Sequence, residues 1–199
     1  MSITNGYATL SQVKGALRIT DSVDDSLLEM AVESASRLID GYAGRIFYNA
    51  GTAVKYFAAQ DSFTTLIDDA ISVSSVQTSS NLDSNYDTTW KTTDYQLNPL
   101  NGYVDGLYVP YNTITATDDF LFPFAGAEAG VKVTGVWGFA STPIAITQAC
   151  VIQASRIYKR LDSPLGVAGF GDLGAIRVSS RLDPDVAQLV DPYRRIRFA

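Results

Sequence analysis

Three pairs of adjacent aspartates are the residues of this sequence whose type and spacing come closest to a catalytic or metal-binding arrangement. They are Asp24 and Asp25, Asp68 and Asp69, and Asp118 and Asp119. Paired carboxylates can supply the acid and the base of glycoside hydrolysis, and carboxylate oxygens are ligands for Ca²⁺. All three pairs, however, fall at predicted turns or helix starts, and none alternates oxygen ligands around a glycine. We therefore interpret them as capping and surface residues and predict no bound metal.

The histidine, glycine and cysteine content of the chain argues against an enzyme. The chain contains no histidine, which is the commonest general base and the commonest transition-metal ligand. The glycines between Gly166 and Gly174 follow a predicted helix instead of a strand and include no Gly-Lys-Ser/Thr step, so a phosphate loop is rejected. The single cysteine, Cys150, lies on an apolar helical stretch and is interpreted as a core residue. We predict no catalytic activity and no cofactor.

Charge and hydropathy exclude two further classes of partner. The formal net charge is −6, whereas a dedicated nucleic-acid binder normally carries a clustered basic face. No apolar run approaches the roughly 18 residues that span a bilayer, and the opening M-S-I-T-N-G lacks the pattern of a signal peptide. We expect a protein made in the cytoplasm with no membrane partner.

The predicted fold is organised around an amphipathic helix at residues 24–45. Its start is marked by Asp24 and Asp25, and its end by Gly41 and Gly44, which favour a left-handed stop. The apolar side chains recur every three or four residues and are expected to form one buried stripe. This stripe consists of Leu27, Leu28, Ala31, Val32, Ala35, Leu38, Ile39 and Tyr42.

Two other helices are expected to cover this stripe. The first spans residues 9–18, where Thr9 and Gln12 are placed as a capping box, and a short turn joins it to the long helix. The second opens with Thr142 as its cap and Pro143 at its first position, and it continues to residue 161. The opening and the far end of the chain therefore close into one helical bundle.

Between these helices the sequence changes to β-branched and aromatic residues broken by turn formers. Strands are predicted at 53–58, 64–67, 71–78, 94–97 and 130–136, with loops or hairpin tips at 81–89 and 99–106. The predicted fold class is thus mainly α: a small helical bundle formed by residues 1–45 and 139–199, with a β-rich insertion at 46–138 between the second and third helices. Aromatic residues in the insertion leave a carbohydrate-binding or adhesion module as the alternative function.

The C-terminal part of the chain carries the candidate contact residues. Residues 163–174 hold four glycines and one proline, which makes the segment too flexible for regular structure, and they are too apolar for a solvated loop. A partner is therefore expected to order them, and a short strand is predicted at 175–179. A short last helix begins at Asp183-Pro184 and precedes aromatic and guanidinium groups, which are typical interface anchors. We expect residues 183–199 to serve partner contact, with intramolecular docking through Val186, Leu189 and Val190 as the alternative. The candidate portal or partner interface comprises Leu165, Phe170, Leu173, Tyr193, Arg194, Arg195, Arg197 and Phe198.

The order of these motifs resembles that of the phage head-tail connector (adaptor) proteins of tailed bacteriophages. The opening reads Y-A-T-L-S-Q-V-K-G-A-L-R-I followed by D-D-S-L-L-E-M-A-V-E-S-A-S-R-L-I-D-G-Y-A-G-R-I-F. The far end reads V-T-G-V-W-G-F from Val133, S-P-L-G from Ser163 and D-P-D-V, later P-Y-R-R, from Asp183. The resemblance covers both helical ends, and the β-rich insertion matches only loosely.

This resemblance implies a structural virion protein at the head-tail junction. Family members form a homo-oligomeric ring, dodecameric in the virion, beneath the portal protein of the filled capsid. The ring extends the DNA exit channel and provides the docking site for a stopper or tail-completion protein. An acidic chain suits this channel because it does not attract DNA phosphates, so DNA is expected to pass without specific binding.

Overall fold

The computed structural model describes residues 2–104, 106–117, 119–123, 126, 128–161, 167–169, 175–177 and 182–195. Its helices are α1 Leu10–Leu17, α2 Asp25–Ala43, α3 Ile144–Leu161 and α4 Pro184–Val190. Its strands are β1 Asn49–Phe57, β2 Thr64–Thr78, β3 Thr88–Trp90, β4 Tyr95–Asn98, β5 Tyr103–Val104, β6 Leu107–Tyr108, β7 Tyr111–Ala116, β8 Val131–Gly138, β9 Val167–Gly169 and β10 Ala175–Arg177. The chain forms two compact units, a helical unit of residues 1–47 and 142–199 and a β unit of residues 48–141.

The predicted fold class, a mainly α bundle, is wrong. About 34% of the described residues are helix and about 30% are strand, and these strands include a six-stranded antiparallel sheet. The β unit also has a hydrophobic core of its own, which includes Trp90, Ile114, Val133 and Trp137. The protein is therefore an α+β protein in which the sheet is a folded unit, because it buries enough apolar surface to be more than a loop between helices.

Local signals determine the ends of the first two helices. The Thr9 hydroxyl accepts from the Gln12 N–H at 3.2 Å, and the Thr9 N–H donates to the Gln12 side chain at 2.8 Å, so the predicted capping box of α1 is confirmed. α2 ends at Gly44, which has the left-handed φ of 68°. Asp24 precedes α2 but makes no capping hydrogen bond; its carboxylate instead accepts from the Tyr158 hydroxyl of α3 at 2.7 Å.

One face of α2 forms the centre of the helical unit. Leu28, Val32 and Ile39 are fully buried, and α2 contacts both α1 and α3 as predicted. The predicted stripe is too wide, however, because Leu27 is 41% exposed and Leu38 is 50% exposed. Both side chains lie at the edge of the buried face of α2, and no element of the described chain covers this edge.

The sheet of the β unit has the strand order β1-β8-β2-β7-β4, with β3 also paired to β2. β2 is one strand of 15 residues, whereas two separate strands were predicted within it. Register shifts along its pairs with β7 and β8 break its alternation, which explains why the sequence suggests an interruption near Asp68. The predicted strands at β1, β4 and β8 are confirmed, whereas β3, β5, β6 and β7 were not predicted.

Gly138 shows why β8 ends where it does. Its φ is +96°, and a Cβ at this position would lie 2.0 Å from the carbonyl oxygen of Tyr48. Only glycine can therefore adopt this conformation without moving the backbone. The pairing of β1 with β8 shifts register at the same place, between Asn49 and Gly51, which lie opposite Gly138 and Trp137.

The segment 163–174 was predicted to lack regular structure, and this prediction is wrong for three of its residues. β9 lies within it and pairs antiparallel with β10, so that Val167 lies opposite Arg177. The short strand predicted at 175–179 is confirmed as β10. Cross-strand hydrogen bonds can stabilise such a hairpin even where glycines give the segment a low intrinsic strand preference.

Aspartate substitutions at two leucines of α2 test the corrected burial pattern. Leu28→Asp places a carboxylate in the core and is expected to lower the free energy of unfolding by at least about 3 kcal/mol. Leu38→Asp makes the same change on the exposed side of the same helix and should cost less than about 1 kcal/mol. Urea denaturation followed by circular dichroism measures both. Equal losses in the two variants would contradict this assignment of faces.

Candidate partner-contact site

The last helix is bound to the rest of the helical unit through Asp183, the residue that precedes its first turn. The Asp183 carboxylate accepts from the Asp185 N–H at 2.8 Å and caps α4. The same carboxylate forms an ion pair with Arg156 of α3. Val186 and Val190 of α4 are fully buried. The intramolecular docking that the sequence left as an alternative is therefore what the structure shows for α4.

Tyr193, a predicted contact residue, lies in the core of the helical unit. It is 8% exposed, and its ring packs edge to face against Phe47 with the centroids 5.9 Å apart. Beside it, Asp191 accepts a hydrogen bond from the Tyr42 hydroxyl at 2.7 Å. The segment through Tyr193 thus contributes to the fold, and its surface residues are what a partner could reach.

The next two predicted contact residues flank the C-terminal end of α2. The guanidinium of Arg194 lies 4.8 Å from the centroid of the Tyr42 ring and 3.9 Å from the Asp191 carboxylate. The Arg195 N–H donates to the carbonyl oxygen of Ala43 at 2.8 Å. The other candidates lie outside the described residues; they are Leu165, Phe170, Leu173, Arg197 and Phe198.

Arg194 and Arg195 line an open cavity of about 1240 Å³, which we call the arginine cavity. Its other lining residues come from the end of α2, the segment after it and the turn after α4: Asp40, Gly41, Tyr42, Gly44, Arg45, Ile46, Asp191 and Pro192. Sequence reasoning missed the contribution of Tyr42 and Arg45. The tertiary structure brings them next to Arg194 from about 150 positions away, and no local pattern reports such a distance.

A buried hydrogen-bond network supports one wall of the arginine cavity. The Tyr7 hydroxyl donates to the Asp40 carboxylate and accepts from the Phe47 N–H at 2.8 Å. Arg37 contacts the second Asp40 oxygen through Nε at 2.9 Å. Burial raises the pKa of Asp40, and the hydrogen bonds from Tyr7 and Arg37 oppose this rise. Burial and the bond to Asp40 raise the pKa of Tyr7.

An exposed apolar face of α2, made of Leu27, Met30 and Leu38, extends toward the arginine cavity. These residues are 41%, 51% and 50% exposed. In the turn before α2, Val23 is 84% exposed. Apolar side chains that recur along one side of a helix outside the core are a common feature of protein–protein contacts.

The candidate chemical groups have structural roles in the described chain. Asp25 pairs with Lys14 at 2.6 Å and Asp68 with Lys55 at 2.7 Å, while Asp118 lies outside the described residues. Cys150 is buried, and burial raises the pKa of its thiol. Trp90 and Trp137 are buried, whereas Tyr103 and Tyr108 of the same unit are exposed, so the carbohydrate-binding alternative would depend on tyrosines and not on these tryptophans.

The described residues contain no cluster of three or more side chains that could hold a metal ion. None of the helices in this part of the chain combines the length and apolar character needed to traverse a lipid bilayer.

Solved structures with a similar fold come from the necks of gene transfer agent particles. A chain from the neck of an empty particle, computed with C6 symmetry, matches with a TM-score of 0.59 and 15% identity over 100% of this chain and 95% of that one. A chain from the neck of a native particle, computed with C12 symmetry, gives 0.58 and 15% over 100% and 94%. A chain from the virion of the native particle gives 0.57 and 17% over 100% and 95%. The chain therefore has the fold of these particle proteins.

A family model matches the first part of the chain. The model of the phage gp6-like head-tail connector protein family matches residues 7–99, which include α1, α2 and the first four strands. No curated protein matches the chain significantly. Over these residues the chain is similar to the phage head-tail connector family, as its motifs predicted, and members of that family are structural proteins and not enzymes.

Tyr7→Phe tests the network behind the arginine cavity. The substitution removes the hydroxyl that pairs with Asp40 and with the Phe47 N–H, and we expect it to cost about 1–3 kcal/mol of unfolding free energy near pH 7. Because the pKa of Tyr7 is raised in the folded state, the unfolded chain loses this proton first, and stability falls as the pH rises above the ordinary tyrosine pKa of about 10.

Above about pH 10, the unfolding free energy of Tyr7→Phe should therefore fall less steeply with pH than that of the wild type. The difference in slope should be up to about 1.4 kcal/mol per pH unit. Urea denaturation at a series of pH values from neutral to alkaline measures the difference. Tyr56→Phe, at an exposed tyrosine of β1, is the control and should retain the wild-type slope. If the unfolding free energy of Tyr7→Phe fell with pH as steeply as that of the wild type, the network would not be what retains the proton of the Tyr7 hydroxyl.

Proposed function

We propose that this protein forms a homo-oligomeric ring in the neck of a tailed, phage-like particle and joins the head to the tail. The observation that carries the proposal is the agreement of the family match with the fold, which extends over the whole chain. The similar chains come from necks computed with sixfold and twelvefold symmetry, which supports a ring of twelve copies here. In this arrangement the ring lies beneath the portal protein and accepts a stopper or tail-completion protein on its other face.

The distribution of charge supports passage of DNA without specific binding. The β unit has ten acidic residues and three lysines, a net charge of −7, whereas the helical unit has a net charge of +1. Duplex DNA carries about one negative charge per 1.7 Å, so an acidic surface beside the channel repels it. A connector needs this property because strong attraction would hold the DNA during ejection.

The helical unit is proposed to contact the portal and the tail proteins. Arg194 is exposed beside the arginine cavity, and arginine is enriched where interfaces desolvate a few anchors. Arg195, Arg197, Phe198 and the apolar residues Leu165, Phe170 and Leu173 remain part of this proposed contact. Tyr193 contributes indirectly, since its packing on Phe47 holds the preceding turn in place.

Deletion of the gene from its phage tests the connector role. Capsids without the protein should package DNA but fail to join tails, and they should release DNA after packaging because nothing extends or closes the exit channel. Electron microscopy of lysates counts tailed particles, and complementation from a plasmid should restore them. Normal tailed particles without the protein would contradict the proposal.

Two truncations separate the contact role from the fold. Removal of residues 196–199 leaves the described core intact, and we expect a folded protein whose assembly with heads or tails is impaired. Removal of residues 183–199 also deletes Val186, Val190 and Tyr193 from the core, and we expect a loss of several kcal/mol, enough to unfold a domain of ordinary stability.

Thermal melting and the yield of tailed particles measure both variants. Normal particle assembly by the shorter truncation would show that the last four residues make no essential contact.

A further inference from the structure

The turn between α1 and α2 carries an exposed apolar side chain among acidic residues. Val23 is 84% exposed, and Asp21 lies two residues before it on the surface. Residues 14–29 contain four carboxylates and two cations, and one of those cations, Lys14, is bound to Asp25 at 2.6 Å. We call residues 21–25 the acidic turn. An exposed valine in such a turn makes no contribution to the core of its own chain.

The arginine cavity, at the C-terminal end of α2, has the charge opposite to that of the acidic turn. The arginine cavity contains three guanidinium groups and two carboxylates, so positive charge is in excess. Asp40 is bound by Arg37 and Tyr7, and Asp191 accepts from the Tyr42 hydroxyl and lies 3.9 Å from Arg194. The cavity is open, and Leu38 lies on the exposed face of α2 that leads to it. A segment that carries an apolar tip and negative charge therefore matches this cavity in both properties.

From this complementarity we propose that the acidic turn of one copy docks in the arginine cavity of a neighbouring copy. In this contact the Asp21 carboxylate faces the Arg194 guanidinium, and Val23 enters the cavity beside Gly41. The inference rests on the proposed function, because it names the surfaces through which copies of a ring meet. It identifies the partner as a second copy of this chain.

Two features show why the contact joins different copies. The acidic turn and the arginine cavity lie at opposite ends of α2, a 19-residue helix that is about 28 Å long at 1.5 Å per residue, so they cannot meet within one chain. They are also two different surfaces. A contact between different surfaces is head-to-tail, and such a contact forms a ring when its repeated rotation closes after a whole number of copies.

Cysteine cross-linking in the assembled particle tests the contact. The double variant Val23→Cys with Gly41→Cys places one thiol in the acidic turn and one in the cavity, where a Cβ on Gly41 meets nothing within 4 Å. A short bismaleimide should convert this variant into a ladder of covalent oligomers that ends at the size of the ring. The native Cys150 is buried and should not react.

The matched control is Val23→Cys with Gly15→Cys. Gly15 is also a helical glycine whose Cβ would meet nothing within 4 Å, but it lies on α1, away from the cavity. This variant and both single variants should remain monomeric on denaturing gels. A cross-linked dimer from Val23→Cys or from Gly41→Cys alone would indicate a symmetric contact and would overturn the head-to-tail arrangement.

Charge exchange gives a second measurement on the same particles. Asp21→Arg and Arg194→Glu, each added to the double-cysteine variant, should reduce the cross-linked ladder about tenfold, and the two together should restore it because opposite charges again face each other. Asp119→Arg and Lys91→Glu make the same changes at exposed positions of the β unit and should have no effect.

The outcomes separate this inference from the proposed function. Tailed particles that contain the double-cysteine protein but yield no ladder would overturn the contact while leaving the connector role intact. Normal tailed particles in the absence of the protein would contradict the connector role itself.

Discussion

The buried face of α2 is the constraint on which the helical unit depends. Leu28, Val32 and Ile39 are excluded from solvent, and the helices that cover them come from both ends of the sequence. Burying a large aliphatic side chain stabilises a protein by about 1.5–3 kcal/mol, so these contacts outweigh the cost of bringing distant segments together. The position of the C-terminal turn follows from the same core, because Tyr193 packs on Phe47 just after α2 ends. The arginine cavity is thus a product of core packing.

The β unit buries its apolar side chains in a hydrophobic core of its own. Its strands enclose Ile114, Val133 and Trp137, and the Trp137 indole N–H donates to the Ala53 carbonyl oxygen at 2.8 Å. A sheet with its own core can carry many surface charges without losing stability, because exposed carboxylates remain hydrated. This explains how the unit combines a net charge of −7 with a well-packed interior. In the proposed connector ring, such a surface would face DNA without binding it and costs the fold little.

α2 also links the fold to assembly. Its buried face holds the helical unit together, while its other side exposes Leu27, Met30 and Leu38 between an acidic end and an arginine-rich end. A helix transmits position along its length with little deformation, so two surfaces at its ends keep a constant separation in every copy. Constant separation and constant angle are what a closed ring of identical subunits requires.

The sequence by itself determined the helices and indicated the resemblance to head-tail connector proteins. The capping box at Thr9 and the left-handed stop at Gly44 are local interactions, which neighbouring residues specify without help from the rest of the chain. Only the tertiary structure decided that Y-N-T-I-T-A at 111–116 is a strand, because its stability comes from pairing with β2 and β4. It also decided that Tyr193 is buried and Leu38 exposed, since burial depends on which distant element covers a residue, and periodicity reports only the face on which that residue lies.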